Sequence, residues 1–530
     1  MEILKEKNTR TQIIKGTKYV YVDKPYWDKL KKQTRHKREY VGKISEGGEF
    51  CANKRYLSHQ KTEKDEKNKI ALIADRKFYG ATHLLDCIGE KLGIRQDLEK
   101  SFGEQMSKKL MSLVYFLILE GESSMYRFPK FAKTHQHPSN EVISSQRISD
   151  IFAKITENEK TTFFQNRIKK CVENEYLAYD TTSISSYSET MNQIKYGKNK
   201  DLENLAQINL AMVFGEESLL PVYYRKMPGN IGDVSTIKKL LVDMDFFGMK
   251  KVNFVLDRGF YSANNVNSLY KNRHKFVIAA RTNNKLIKQF IDDMCEEVKD
   301  FRNYNSDHDI YCLTKNSKWK YEYTDKKGTF KSDNKLFYLH LYYDGTRAEQ
   351  EKKEFIKKLK NAQKSYEQES CSDTRKALFD QYFIEKKDGK KVYFIHNQEA
   401  IDLQMKKFGY FVLVSNNVAC ASESLSIYRN KDVVEKTFCN LKNRLDMKRT
   451  KVSSEESLEG KLFVQFVALI YISYIHQIML KNNLYKNYSK SSLLDEIDVI
   501  EIFKYKGKKI HYSEITQKQR DILRCFNVSI

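Results

Sequence analysis

Two aspartates stand where the chain could build a metal site. Asp180 ends the apolar segment YLAYDTT, and Asp257 ends the apolar part of KKVNFVLDRGFY. Both segments are predicted to be strands, and in α/β sheets sites form at the carboxyl ends of strands. Carboxylates brought together are costly unless they share a cation, and oxygen ligands suit a hard ion such as Mg²⁺. The alternatives are a turn residue for Asp180 and a helix cap for Asp257.

A third acid lies in the segment IYRNKDVVEKTFCNLKNRLDM, which is predicted to be a helix. At 100° per residue, four polar side chains fall within about 60° of one another, beside an apolar stripe. They are Tyr428, Lys431, Glu435 and Lys442. In such an arrangement the acid could bind a metal ion, and the neighbouring lysines and tyrosine could bind phosphates. The alternative is an amphipathic helix with ordinary surface charges.

Residues 176–282 show the pattern of a scaffold for these acids. A strand and a hairpin are followed by helix, strand, helix and strand, which indicates an α/β domain with a mixed sheet. Residues 426–485 are predicted to be helical and to complete this core. Residues 283–425 interrupt it with strand-like segments around one charged helical stretch, and we interpret them as a largely β insertion.

The remaining segments are predicted to form smaller units. Residues 1–75 form a basic, β-containing module in which Trp27 stands among lysines and arginines. Contact with phosphates and exposed bases explains this composition as well as a solvated basic surface does. Residues 76–175 carry apolar residues at helical spacing. Residues 486–530 form a C-terminal tail.

Composition narrows the class of protein. A chain of 530 residues is too long for one core, and its 40% hydrophobic content is enough to bury several. The formal net charge of +25 indicates a polyanionic partner, with nucleic acid first and an anionic membrane surface second. Nine cysteines without metal-ligand spacing suit a reducing cytoplasm. The longest apolar stretch, 462–480, contains polar residues and is predicted to be a buried helix rather than a membrane span.

The motifs together resemble those of bacterial insertion-sequence transposases with a DDE catalytic core. The spacing Tyr-x2-Arg/Lys-x3-Glu-x6-Lys is similar to that family's signature, and it comprises Tyr428, Lys431, Glu435 and Lys442 here. YDTT resembles the family's first Asp strand, PGNIGD its turn, and VLDRGFYS its second Asp motif. A β-rich insertion before the Glu helix is also similar to this group. Lys431 departs from the usual Arg, which weakens the bidentate phosphate contact expected there.

The resemblance implies an RNase H-like core within a multidomain α/β protein. Asp180, Asp257 and Glu435 would bind two Mg²⁺ or Mn²⁺ ions for in-line phosphoryl transfer. Residues 1–175, chiefly the helical region, would bind the transposon ends. Further DNA contacts are expected from Tyr428, Lys431, Lys442, Arg258 and Trp319. Trp319 would stack on a flipped base, unless it packs within the insertion.

The implied partners are double-stranded DNA, as transposon ends and target, and a second copy of the chain in the DNA complex. A bacterial cytoplasm, at the nucleoid, is the expected location, with no membrane partner. Three alternatives stay open: a nuclease that hydrolyses DNA without joining it, a domesticated DNA-binding protein, and a membrane-surface protein.

Overall fold

The computed structural model describes residues 9–28, 31–56, 58, 74–121, 124–171, 175–188, 191–197, 199, 203–249, 251–324, 328–367, 373–388, 391–431, 445, 449–452, 454–505 and 509–530. The chain divides into two compact units, one of residues 1–79 and 500–515 and the other of residues 80–499 and 516–530. The predicted tail, 486–530, is therefore divided between the two units.

The strands and helices follow one another along the whole described chain. The strands are β1 (Thr9–Ile14), β2 (Thr17–Asp28), β3 (Gln33–Ile44), β4 (Phe50–Ala52), β5 (Ala74–Phe78), β6 (Tyr176–Ser185), β7 (Gln207–Gly215), β8 (Pro221–Pro228), β9 (Asn253–Leu256), β10 (Lys275–Ala279), β11 (Tyr304–Asn305), β12 (Ile310–Thr324), β13 (Phe330–Tyr343), β14 (Phe383–Asp388), β15 (Lys391–His396), β16 (Tyr410–Ser415), β17 (Glu501–Tyr505) and β18 (His511–Tyr512). The α-helices are α1 (Gly80–Lys91), α2 (Ile94–Phe102), α3 (Glu104–Glu120), α4 (Phe128–Thr134), α5 (Ser145–Ala153), α6 (Glu157–Cys171), α7 (Asp233–Phe246), α8 (Ala263–Lys271), α9 (Lys285–Met294), α10 (Gly345–Glu367), α11 (Asp373–Tyr382), α12 (Gln398–Met405), α13 (Ala421–Asn430), α14 (Glu455–Lys481), α15 (Lys490–Asp498) and α16 (Gln517–Cys525).

The smaller unit consists of two antiparallel sheets. In the first, β1, β2, β3 and β4 are neighbours in that order. Alternating apolar residues of β2 and β3 form its core, with Val20, Val22, Val41 and Tyr56 buried together. In the second sheet β17 pairs with both β5 and β18. The C-terminal segment therefore joins a sheet with the strand that follows the basic module.

A mixed sheet of nine strands dominates the larger unit, in the order β11-β12-β13-β16-β10-β9-β6-β7-β8. The predicted meander is confirmed, because β6, β7 and β8 pair antiparallel in sequence. Strand β9 then runs parallel to both β6 and β10. Parallel neighbours need crossover connections, and α7 and α8 supply the helices on either side of β9 along the chain.

The predicted insertion extends this sheet and also contains helices. Strands β12 and β13 pair over their whole length, and β16 bonds to both β13 and β10. Between β13 and β16 the chain forms α10, α11, α12 and the β14–β15 hairpin. Apolar side chains from this excursion form their own cluster, which includes Phe355, Leu359 and Phe379. Residues 283–425 thus carry more helix than a largely β insertion implies.

Helix α14 packs within the helical part of the larger unit, against α3 and α5. Gly460 lets α14 approach α5 closely, since a β-carbon there would meet the carbonyl oxygen of Phe152 at 2.3 Å. Glu455–Lys481 is long and apolar enough to cross a membrane, but 83% of its most apolar window is buried inside the protein. The prediction of a buried core helix is confirmed.

Candidate active site

Asp180 and Asp257 lie side by side on neighbouring strands. Strands β6 and β9 are parallel, and their last paired residues are Tyr179 and Leu256. Asp180 is the next residue of β6, and Asp257 is the first residue after β9. Adjacent strands lie about 4.8 Å apart, and the matched register points both side chains to the same face. The two aspartates thus follow a matched pair of residues at the point where β6 and β9 stop pairing, and the convergence of their carboxylates on one ion stays a prediction.

Neither aspartate has the alternative role that its sequence position allowed. Strand β6 does not end at Asp180 but continues to Ser185, because its antiparallel pairing with β7 continues beyond the last bond to β9. Asp180 therefore lies within a strand rather than in a turn. The helix that follows Asp257 is capped by Ser262, whose side chain accepts a hydrogen bond from the amide of Asn265.

Helix α13 brings Tyr428 to Asp257. Its buried residues Leu425 and Ile427 pack against sheet residues such as Val255 on β9, and Tyr428 lies against the same cluster. The Tyr428 hydroxyl donates a hydrogen bond of 2.8 Å to Oδ1 of Asp257. Residues 171 positions apart along the chain thus meet at one carboxylate. The bond fixes the orientation of that carboxylate.

Lys431 supplies positive charge at the same place. It follows α13 as its C-cap, its side chain is buried, and its ammonium lies 5.4 Å from the centre of the Tyr428 ring. Burial by itself would raise the pKa of Asp257. The charge of Lys431, the Tyr428 hydroxyl and the Arg258 amide outweigh that effect, so the pKa of Asp257 is lowered. The Asp257 carboxylate is therefore held ionised, as a metal ligand must be.

Glu435 and Lys442, the other two residues of the predicted helix face, lie outside the described residues. The described residues on either side of this stretch are both anchored near β6 and β9. On one side Lys431 lies at Asp257. On the other, the amide of Thr450 donates to the carbonyl oxygen of Ser185, at the end of β6, at 3.2 Å.

An ion pair and two further polar contacts hold the second anchor. Arg449 donates to both carboxylate oxygens of Glu203, at 2.5 and 2.9 Å. Ser185 donates to the same carboxylate at 2.6 Å, and the ammonium of Lys461 on α14 donates to the carbonyl oxygen of Thr450 at 2.9 Å. Charge-assisted bonds of this kind are the stronger class of hydrogen bond. The sequence analysis missed this network, because 246 residues separate Glu203 from Arg449 and no local pattern links them.

Arg258, the residue after Asp257, is exposed. The turn that carries it is braced by Arg281, which donates to the carbonyl oxygens of Arg258 at 3.1 Å and Gly259 at 2.9 Å. Arg281 was also missed from the sequence. Its signal was its position just beyond β10, the parallel neighbour of the Asp257 strand.

Trp319 lies apart from the other predicted DNA contacts along the chain, on β12. Its indole N–H donates a 2.7 Å hydrogen bond to Asn267 of α8, and its ring lies 5.1 Å from that of Phe337. These contacts favour the packing alternative for this residue. Base stacking by Trp319 stays a prediction.

The donor set suits a hard divalent ion. Asp180 and Asp257 offer only oxygen ligands, and the lowered pKa of Asp257 keeps its carboxylate charged. Within the described ranges, no three His, Cys, Asp or Glu side chains come together as a metal site. The third ligand expected from the sequence, Glu435, is outside those ranges.

Residues 174–471 match the family described as the transposase DDE domain. The match spans more than half of the chain. The chain belongs to this family. The transposase is therefore a DNA-acting protein of the DDE type, and its mixed α/β sheet agrees with that fold. No curated protein matches the transposase in sequence.

Among solved structures, the transposase is similar to a piggyBac transposase, described as a cryo-EM synaptic complex with hairpin DNA. The similarity covers 75% of this chain and 70% of that one, with 11% sequence identity and a TM-score of 0.38.

Proposed function

We propose that this protein is the transposase of a bacterial insertion sequence, which binds the element's terminal inverted repeats, cuts DNA there and joins the ends to a target. The single observation that carries the proposal is the placement of Asp180 beside Asp257 on parallel strands, with Tyr428 bonded to Asp257. The meander followed by two helix-linked parallel strands supports an RNase H-like core.

We assign Glu435 as the third carboxylate. Residues 432–444 join Lys431, at Asp257, to a chain that returns to β6 at Ser185 through Arg449 and Thr450. The chain is thus held at Asp257 before the stretch and at Ser185 of β6 beyond it. This placement supports a role for Glu435 at the same site, as the family signature implies.

The three carboxylates would hold two Mg²⁺ or Mn²⁺ ions. When bound, such ions activate the attacking water or 3′-hydroxyl and stabilise the leaving oxygen in an in-line phosphoryl transfer. Residues of the chain itself orient the Asp257 carboxylate and keep it ionised. Tyr428 holds one oxygen of Asp257, and Lys431 favours its ionised form. Arg258 and Lys442 contact phosphates of the bound strand in this proposal. Lys431, whose side chain is buried, acts on Asp257 instead of on a phosphate.

The partners in this proposal are transposon-end and target DNA, in the bacterial cytoplasm at the nucleoid, with two copies of the chain pairing two ends. The charge of +25 supports a polyanionic partner. Helix α5, in the region proposed to bind the ends, begins after Ser144, which caps it by accepting a bond from the Arg147 amide.

A strand-transfer assay separates transposition from simple hydrolysis. Labelled duplex DNA that ends in the element's terminal repeat with a free 3′-hydroxyl is incubated with supercoiled plasmid and Mg²⁺. The proposal predicts plasmid DNA that carries the label, because the 3′-hydroxyl of the end becomes joined to a 5′-phosphate of the plasmid strand and a plasmid 3′-hydroxyl is released. A second duplex, in which the terminal repeat is still joined to flanking DNA, tests cleavage. Cleavage of this duplex without any joined product from the first would favour a nuclease, and binding without cleavage would favour a domesticated DNA-binding protein.

A further inference from the structure

The β2–β3 hairpin is divided into a buried base and an exposed outer part. Val20, Val22 and Val41 at its base belong to the core of the smaller unit. Beyond them, residues 23–28 and 33–38, here called the outer hairpin, are mostly exposed. Its six residue pairs span about 20 Å. In the described part of the chain, β1 pairs with β2 only as far as Val22 and β4 with β3 only from Gly42, so the outer hairpin is a two-stranded ribbon.

Large aromatic side chains near the end of this ribbon face solvent. Trp27 is 61% exposed and Tyr26 is 48% exposed, although both lie in a regular strand paired with β3. A two-stranded ribbon is at best marginally stable in water, so exposed aromatic rings on it do not contribute to a core. Successive residues of a strand point to opposite faces, so each face of the ribbon exposes one large ring, which suits a partner that contacts the ribbon on both sides.

The charge on the ribbon identifies the partner's chemistry. Residues 24–38 contain seven lysines or arginines and one aspartate. Lys24 lies directly opposite Lys37, an arrangement that is unfavourable without a nearby anion. Lys24 bonds to Glu39 at 2.8 Å, whereas Lys37 has no ion-pair partner in the part of the chain that the structure describes. Arg35, opposite Tyr26, is on the same face of the ribbon as Lys24 and Lys37, and its guanidinium lies 3.5 Å from the Asp28 carboxylate.

We propose that the outer hairpin binds in the major groove of duplex DNA. Lys24, Arg35 and Lys37, on one face of the ribbon, contact phosphates along one wall of the groove, and Trp27, on the other face, lies against the opposite wall. The major groove, about 12 Å wide, admits a two-stranded β-ribbon. The proposal rests on the proposed function, which it deepens by naming the surface that contacts DNA. It assigns this contact to the strand module, in addition to the helical region.

Trp27 reports on this contact directly. The chain has two tryptophans, so the variant Trp319→Phe leaves Trp27 as the single tryptophan fluorophore. Quenching of its emission by acrylamide is measured alone, with a short duplex carrying the terminal repeat, with the separated single strand, and with vesicles of anionic phospholipid. Protection of Trp27 by the duplex is the expected result. No protection by the duplex, or protection only by the single strand or by vesicles, overturns the proposal.

Salt dependence of duplex binding provides the second test. The triple variant Lys24→Gln, Arg35→Gln, Lys37→Gln should reduce the slope of log affinity against log salt by about 3, because each lost phosphate contact contributes about one unit. The control carries Lys15→Gln, Lys18→Gln and Lys43→Gln, three exposed lysines at the other end of the same sheet. Its slope should change by less than about 1.

Equal slopes for the two triple variants would overturn the proposal. Unchanged thermal unfolding of both variants shows that any difference is not a folding defect, since all six side chains lie outside the buried core of the unit. Cleavage of the transposon end by the wild-type protein is measured in parallel. Absent cleavage with intact Trp27 protection would count against the proposed function, whereas intact cleavage without protection would count only against the hairpin.

Discussion

The hydroxyl of Tyr428 donates a 2.8 Å hydrogen bond to Asp257, joining the helix that precedes Glu435 to the strand that carries the second aspartate. Tyr428→Phe removes this bond and leaves the ring in place. We expect DNA cleavage to slow by about 10- to 150-fold, because one hydrogen bond to a charged group contributes about 1.5–3 kcal/mol and each 1.4 kcal/mol is about tenfold in rate. Single-turnover cleavage at saturating DNA measures the effect.

The matched control for that prediction is Tyr304→Phe, which removes a 2.6 Å bond from a tyrosine hydroxyl to exposed Asp309 in the same unit. Cleavage by this variant should equal that of the wild-type protein. A Tyr428→Phe variant that cleaves at the wild-type rate would mean that the bond does not orient a catalytic carboxylate.

Lys431→Met should shift the acid limb of the cleavage pH profile to higher pH. The charge of Lys431 is among the effects that lower the pKa of Asp257, so its removal lets that carboxylate take up a proton at a higher pH than before. The control is Lys160→Met, which also removes a buried lysine paired with a carboxylate, Glu459, away from the site. A loss of stability without any movement of the acid limb is expected for the control, and the same behaviour in Lys431→Met would contradict the assignment.

The ion pair of Arg449 with Glu203 should be energetically coupled to catalysis. Arg449→Met and Glu203→Gln each release the chain that follows Glu435 from β6, and each should reduce cleavage more than it reduces DNA binding. In a double-mutant cycle on cleavage rates, the coupling should be about 1–3 kcal/mol. The comparable pair Arg347–Glu351, within α10, serves as the control and should show no coupling in cleavage. Additive effects of the Glu203 and Arg449 changes on the cleavage rate would show that their ion pair does not position the chain that follows Glu435 for catalysis.

Two buried histidines make the protein less stable in acid. Burial lowers the pKa of His340 to about 4 and that of His274 to about 4. The unfolded chain protonates each imidazole near pH 6.5, whereas the folded protein does so only near pH 4. The free energy of unfolding should therefore fall as the pH drops from about 6.5 to about 4, by at most about 3 kcal/mol for each histidine. Imidazole NMR resonances that titrate near pH 6.5 in the folded protein would contradict this expectation.

The sequence was sufficient to predict the meander, the helix-linked strands and the placement of Asp180 and Asp257 at matched positions on neighbouring strands, because short apolar runs and the acids in or after them are local signals. It was not sufficient to predict that β6 continues past Asp180, since that depends on pairing with β7. Nor could it predict the Arg449–Glu203 pair or the joining of β17 to β5, because contacts between distant segments leave no periodic pattern. The bond from Tyr428 to Asp257 shows that a residue predicted to hold DNA also serves a carboxylate.

Metal-dependent cleavage of linear DNA that carries the element's terminal repeat tests the central claim most directly. Wild-type protein is compared with Asp180→Ala, Asp257→Ala and Glu435→Ala, and DNA binding is measured for all four. The account predicts Mg²⁺-dependent cleavage at the repeat by the wild-type protein, and its loss in each variant with DNA binding retained. Cleavage that survives in these variants would contradict the assignment of the three carboxylates.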